Sequence, residues 1–139
     1  MLKSRIIPCL LLDENYLVKT IKFKDPKYIG DPINAVRIFN EKKVDELMIF
    51  DIGATRNQSL PNYDLIKKIA FQCRMPLCYG GGVKTLKQFI KIISLGVEKV
   101  SICTSAVNNN NLIKEASDYL GSQSVVVCVD IKKTKFFNK

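Results

Sequence analysis

The sequence contains no histidine, so it lacks the commonest general base and the commonest zinc ligand. Proton chemistry must fall to Asp, Glu, Lys, Tyr or Cys; a zinc enzyme is not expected, and neither a metal nor a cofactor is called for. Long apolar runs are missing too. Ile6–Leu12 and Val125–Val129 are far shorter than the roughly 20 residues that cross a bilayer, so neither a transmembrane helix nor a membrane partner is expected. A secretion signal is not expected either, because the first apolar stretch is broken by Pro8 and meets Asp13 and Glu14 without a small-residue cleavage site. The five cysteines, Cys9, Cys73, Cys78, Cys103 and Cys128, are odd in number and form no C-x-x-C pair. Such usage predicts reduced thiols in a cytoplasmic setting, serving as small buried hydrophobes. Acidic residues are scarce, 13 against 22 Lys and Arg, for a net charge of +9. The excess is mostly lysine spaced along helix faces, the longest clusters being Lys67–Lys68 and Lys132–Lys133, and no arginine-aromatic interleaving accompanies it. A solvated surface with some attraction for phosphorylated metabolites is predicted, and a nucleic-acid partner is not.

What is present is one core's worth of apolar residues, 47% of 139, which predicts a single domain over 1–139. After a strand at Arg5–Leu12, helical segments at Asp31–Lys43, Asn62–Cys73, Thr85–Leu95 and Asn110–Leu120 alternate with β-rich runs at Glu46–Ile52, Met75–Gly80, Lys99–Thr104 and Ser124–Asp130. The helices carry apolar residues at three and four spacing; the strands are nearly continuous in them, as strands covered on both faces are. Gly96 and Gly121 stand where helices end, and Asn110 where a helix cap is expected. An internal echo, Val44-Asp45-Glu46-Leu47 and Val97-Glu98-Lys99-Val100, leads twice from a helix end into a strand. The class is α/β with a parallel sheet: four βα units plus a fifth strand, the N-terminal half of a (β/α)8 TIM barrel whose C-terminal half is missing. Such a half exposes the edges of its first and fifth strands and needs a partner half or self-association. A flavodoxin-like doubly wound sheet of five strands is the rival architecture.

In either architecture ligands gather at the carboxyl ends of the strands, here Leu11–Asp13, Asp51, Gly80–Gly82, Cys103–Ser105 and Asp130. Three glycines between a strand and a helix let backbone N–H groups approach an anion, and Thr104 and Ser105 can add hydroxyl donors, so a phosphate is the expected guest. Asp130 closes the run Val-Val-Val-Cys-Val, where a carboxylate is costly unless hydrogen-bonded or used in proton transfer. Asp51 ends its strand in the same way, as an acid or base, or as a helix cap.

These residues resemble the HisF family, the cyclase subunit of imidazole glycerol phosphate synthase. The resemblance runs along the whole chain and is carried by Arg5-Ile6-Ile7-Pro8-Cys9-Leu10, Gly30-Asp31-Pro32, Asp45-Glu46-Leu47 through Asp51-Ile52, Tyr79-Gly80-Gly81-Gly82, Lys99-Val100-Ser101-Ile102, and Gly121-Ser122-Gln123 through Asp130. It implies a (β/α)8 barrel that receives ammonia from a glutaminase (HisH-type) subunit docked at its N-terminal face and delivers it to a phosphorylated substrate at the other. On that resemblance Asp130 is the catalytic acid/base; Lys19, Asp51, Gly81, Gly82, Cys103 and Thr104 match substrate- and phosphate-binding positions. Arg5, Glu46 and Lys99 match a ring of charges guarding the ammonia passage, with Lys19 in the loop after the first strand. Two positions depart from the pattern. The family's other catalytic aspartate is Leu11 here, with Asp13 displaced into the loop, and a phosphate-site asparagine is Cys103. Pro8-Cys9-Leu10-Leu11-Leu12, Leu17-Val18-Lys19-Thr20 and Pro26-Lys27-Tyr28-Ile29-Gly30-Asp31-Pro32 look still more like a paralogue associated with surface-polysaccharide synthesis, which feeds ammonia to a sugar amidotransferase. A non-catalytic phosphate-binding half barrel is a third expectation.

Overall fold

The computed structural model of the protein describes residues 3–131; the Lys132–Lys133 pair and the outermost ends of the single domain expected over 1–139 lie outside them. In chain order the elements are β1 (Cys9–Asp13), β2 (Tyr16–Ile21), β3 (Lys24–Gly30), α1 (Pro32–Lys42), β4 (Leu47–Asp51), α2 (Ile52–Arg56), α3 (Tyr63–Gln72), β5 (Leu77–Gly80), α4 (Leu86–Ser94), β6 (Lys99–Ile102), α5 (Thr104–Asn108), α6 (Asn110–Leu120) and β7 (Val125–Val127). The helices begin where side chains satisfy the free N–H groups of a first turn. Asp31 accepts from Asn34 N at 3.0 Å ahead of Pro32, and Asn62 accepts from Leu65 N at 3.1 Å. Thr85 and Gln88 cap α4 reciprocally. Gly96 and Gly121 follow α4 and α6 with φ of +99° and +90°. Asn110 does not cap α6: it is the helix's first residue, and Asn109 before it makes no side-chain capping bond.

The strands form one sheet in the order β3-β2-β1-β4-β5-β6-β7, with β1 and β4 to β7 mutually parallel. Each parallel strand lies beside the parallel strand before it. Because such crossovers are right-handed, one-way growth puts every helix on the same face. A doubly wound sheet must instead reverse direction and carry helices on both faces, so the flavodoxin-like alternative is overturned. The five parallel strands and their helices are the first half of a (β/α)8 barrel. Residues alternate accordingly. Leu47, Ile49, Leu77, Tyr79, Val100 and Ile102 pack into one core with Ile66, Ile69, Phe89, Ile92, Leu112 and Ala116 from the helices. Met48, Phe50, Cys78, Lys99 and Ser101 fall on the opposite, helix-free face. On that face Cys78 and Ser101 are buried, and Met48, Phe50 and Lys99 are half-buried.

Several boundaries differ from the sequence expectation. The first strand begins at Cys9 rather than Arg5, because Pro8 brings no N–H to the ladder, although Pro8 O still accepts from Met48 N at 2.9 Å. The last strand is Val125–Val127, preceded by a 3₁₀ turn at Ser122–Ser124, and Thr104 starts α5 instead of ending β6. The segment expected as a loop after the first strand is an antiparallel hairpin, so Lys19 sits on strand β2 and Asp13 is the last residue of β1, not a loop residue. The edge of β1 is therefore not fully open: Leu11, Leu12 and Asp13 pair with Val18, Leu17 and Tyr16. The outer margin there is β3, exposed along nearly its whole length and containing Pro26.

Candidate functional site

At the amino end of the parallel strands three charges meet. Glu46 directly precedes β4 and Lys99 opens β6, the equivalent positions of the internal echo, and the sheet brings them together. Lys99 Nζ donates to both carboxylate oxygens of Glu46, at 2.8 and 2.7 Å, while Arg5 stands 3.6 Å from the same carboxylate. Glu46 is 3% exposed, so this charge is held away from water by its partners. Immediately above, on the helix-free face, Cys78 pairs in register with both Met48 and Lys99. Burial, with the Glu46 charge adding to it, pushes the Cys78 thiol up to about 12, which leaves it an inert packing group. One step higher, Leu11, Phe50, Gly80, Ser101 and Val126 form a row across the five strands. The Phe50 ring fills the space that a side chain at position 80 would need.

The carboxyl ends of the strands hold the polar groups. Asp51 caps α2: its Oδ1 accepts from Ala54 N at 2.8 Å, and Tyr79 Oη donates to Oδ2 at 3.4 Å. Burial raises the Asp51 carboxyl above its ordinary value; the Ala54 N–H and the Tyr79 hydroxyl work against that rise, and the Asp13 charge works with it. The next strand end turns at Gly81 and Gly82, with φ of +127° and +68°. A Cβ at Gly81 would run into the backbone oxygen of Asp51, and one at Gly82 into Ser59 O, so both positions need glycine for conformation and for room. Ser105, expected as a free hydroxyl donor, is committed instead: its Oγ donates to Val83 O at 2.5 Å, tying α5 to the glycine turn.

Asp130 lies beyond the end of β7 and is solvent-exposed. Its Oδ2 accepts from the Cys103 thiol at 3.7 Å, and both residues line a cleft of about 260 Å³ together with Thr104, Val107 and Cys128. Lys19 stands apart, exposed on β2 opposite Lys27. Sequence reasoning missed one ion pair: Asp13, 8% exposed, accepts from Arg56 Nη2 at 2.8 Å, and its carboxylate occupies the space where a Cβ of Gly53 would be. Nothing in the spacing of residues 43 apart signals that pairing. Among the described residues no group of His, Cys, Asp or Glu is arranged to hold a metal ion, and no helix is long and apolar enough to cross a membrane.

A family model described as histidine biosynthesis protein matches residues 5–139. A Pseudomonas aeruginosa protein provisionally named imidazole glycerol phosphate synthase subunit hisF2 is 59% identical over 133 residues, covering 96% of this chain and 53% of that protein. A Vibrio vulnificus protein provisionally named subunit hisF3 is 54% identical over 139 residues, covering 100% and 54%. The imidazole glycerol phosphate synthase subunit HisF of Methanococcus vannielii is 44% identical over 133 residues, covering 96% and 49%. The chain thus spans about half the length of the curated relatives it matches.

Proposed function

Because the chain belongs to the histidine biosynthesis protein family, whose members are (β/α)8 barrels, we propose that it is the N-terminal half of a HisF-type subunit that takes ammonia from a glutaminase and adds it to a phosphorylated substrate. The observation that carries this reading is the placement of two unlike polar clusters at the two ends of one parallel sheet. The Arg5–Glu46–Lys99 cluster lies at the amino end, and Gly81, Gly82, Thr104 and Asp130 lie at the carboxyl end. A (β/α)8 barrel carries its chemistry at the carboxyl end, so substrate does not occupy its amino end. In this reading the HisH-type glutaminase docks at the amino end, and ammonia passes Glu46 and Lys99 into the barrel. Gly81, Gly82 and Thr104 hold a phosphate by backbone N–H groups and a hydroxyl, and Asp130 moves protons at the reacting centre. A second barrel half covers the open face and the outer edge of β7.

Leu11 favours a second reading, in which the barrel passes ammonia on for amidation of a sugar, because leucine can neither give nor take a proton. Growth of a cyclase-deficient cell without histidine, supplied with the complete barrel protein, decides between them. Growth at a normal rate supports the cyclase. Failure with glutaminase binding retained supports the sugar acceptor, and failure of both removes the HisF-type reading.

A further inference from the structure

Strands β6 and β7 run in parallel register, Ile102 opposite Val127, and Cys128 N donates to Ile102 O at 2.9 Å, so the pairing continues past the strand ends and delivers both following segments to one cleft. Within it Cys103 could serve either of two neighbours, the start of α5 or the carboxylate beyond β7. The first is excluded in the structure, since Cys103 precedes α5 without a side-chain capping bond. The second is what is found: the S–H donates to Asp130 Oδ2 at 3.7 Å, within the longer reach of a sulfur donor. Resting on the reading of Asp130 as the acid/base, we propose that Cys103 is a positioning residue that orients the Asp130 carboxylate, leaving phosphate to Gly81, Gly82 and Thr104.

The chemistry suits an exposed carboxylate on a segment beyond its strand. A lysine or arginine would pin the charge; a thiol is a weak donor, able to select a rotamer while leaving the carboxylate free to take a proton. The contact also marks the thiol, which burial and the adjacent Asp130 charge raise above its ordinary range.

The test uses the complete barrel protein with ammonium and a phosphorylated ribonucleotide. Cys103→Ala is expected to lower kcat by about tenfold to a hundredfold, the cost of leaving a reacting group roughly 1 Å out of place, with KM unchanged, and Cys103→Ser is expected to keep kcat near that of the unaltered protein. A rise in KM with kcat intact would show that the thiol serves the phosphate and overturn the proposal. A second arm needs no turnover: iodoacetamide labelling of Cys103, read by peptide mass mapping, is expected to be faster in Asp130→Asn, where the charge that raises the thiol is gone. Equal rates would overturn the contact. If the unaltered protein fails to turn over, the cyclase reading falls separately, and labelling alone decides whether Cys103 holds Asp130.

Discussion

Removing Lys99 or Glu46 should have unequal effects, although each change breaks the same ion pair. Glu46 lies almost wholly out of water, whereas the Lys99 side chain is 24% exposed. Lys99→Met strands a buried carboxylate whose one remaining ion-pair partner among the described residues is Arg5, 3.6 Å away and itself 63% exposed. Breaking a buried pair from one side costs about 3–5 kcal/mol, and a partly screened residual partner returns a fraction, so about 2–4 kcal/mol is expected. With an unfolding entropy near 2.1 cal/mol/K per residue, that lowers Tm by about 7–14 °C. Glu46→Gln keeps an oxygen that accepts from Lys99, and an ammonium that already reaches solvent is not stranded; about 1 kcal/mol or less is expected. The double variant holds no buried charge and should resemble Glu46→Gln alone, giving a coupling energy of about 2–4 kcal/mol across the cycle, the full cost of Lys99→Met. Urea unfolding of the four proteins, followed by circular dichroism, measures all three quantities. The reasoning fails if Lys99→Met costs no more than Glu46→Gln, or if the double variant loses the sum of the two.

Asp51 offers a pH-dependent counterpart. Its folded carboxyl is raised by burial, so the stability gained from its protonation is present below the ordinary carboxylate value and lost as pH rises through the folded one. Asp51→Asn, which retains the cap, should equal or exceed the unaltered protein in stability at pH 7 and lose that advantage on acidification; Asp51→Ala should lose about 1 kcal/mol of capping. Calorimetry across pH 3 to 7 checks both signs. Gly81→Ala should cost at least about 1–3 kcal/mol from its φ alone, with a collision at the Asp51 carbonyl in addition, and should abolish shifts in phosphate titrations monitored by NMR. Leu11→Asp should raise ammonium-dependent cyclisation in the complete barrel protein, because a missing acid or base costs about a hundred- to ten-thousand-fold; no gain at all would mean that the remainder of the site is not that of a cyclase.

The alternation of helices and strands was legible in the sequence because the parallel strands are apolar on the helix-free face as well as on the helix-packed one and so read as unbroken apolar runs such as Leu47–Phe50, while α4 and α6 keep a clear helical stripe. The β2–β3 hairpin was not. The turn at Glu14–Asn15 that leads from β1 into it and its own turn at Lys22–Phe23 have positive φ at both central residues, yet they lack the glycine that normally announces such a turn, and β3 is too exposed to alternate. Helices α2 and α5 escaped because five residues are too few to show a period. At the site, Glu46 and Lys99 stood out as charges at the start of apolar strands, but their pairing with each other is a product of the sheet. Asp51 could be read as a reacting acid or as a cap, and only the short helix behind it displays the capping bond.

Since each parallel strand is laid beside the one synthesised just before it, every new pairing closes a short loop, and the entropic cost of assembly is met in small steps. The hairpin is finished before any crossover begins and gives β1 a neighbour while β4 is still to come. A chain built this way can take shape in the order in which it leaves the ribosome, with β7 as the growing edge. Until a further strand covers it, that edge is the stretch from which misassembly would start.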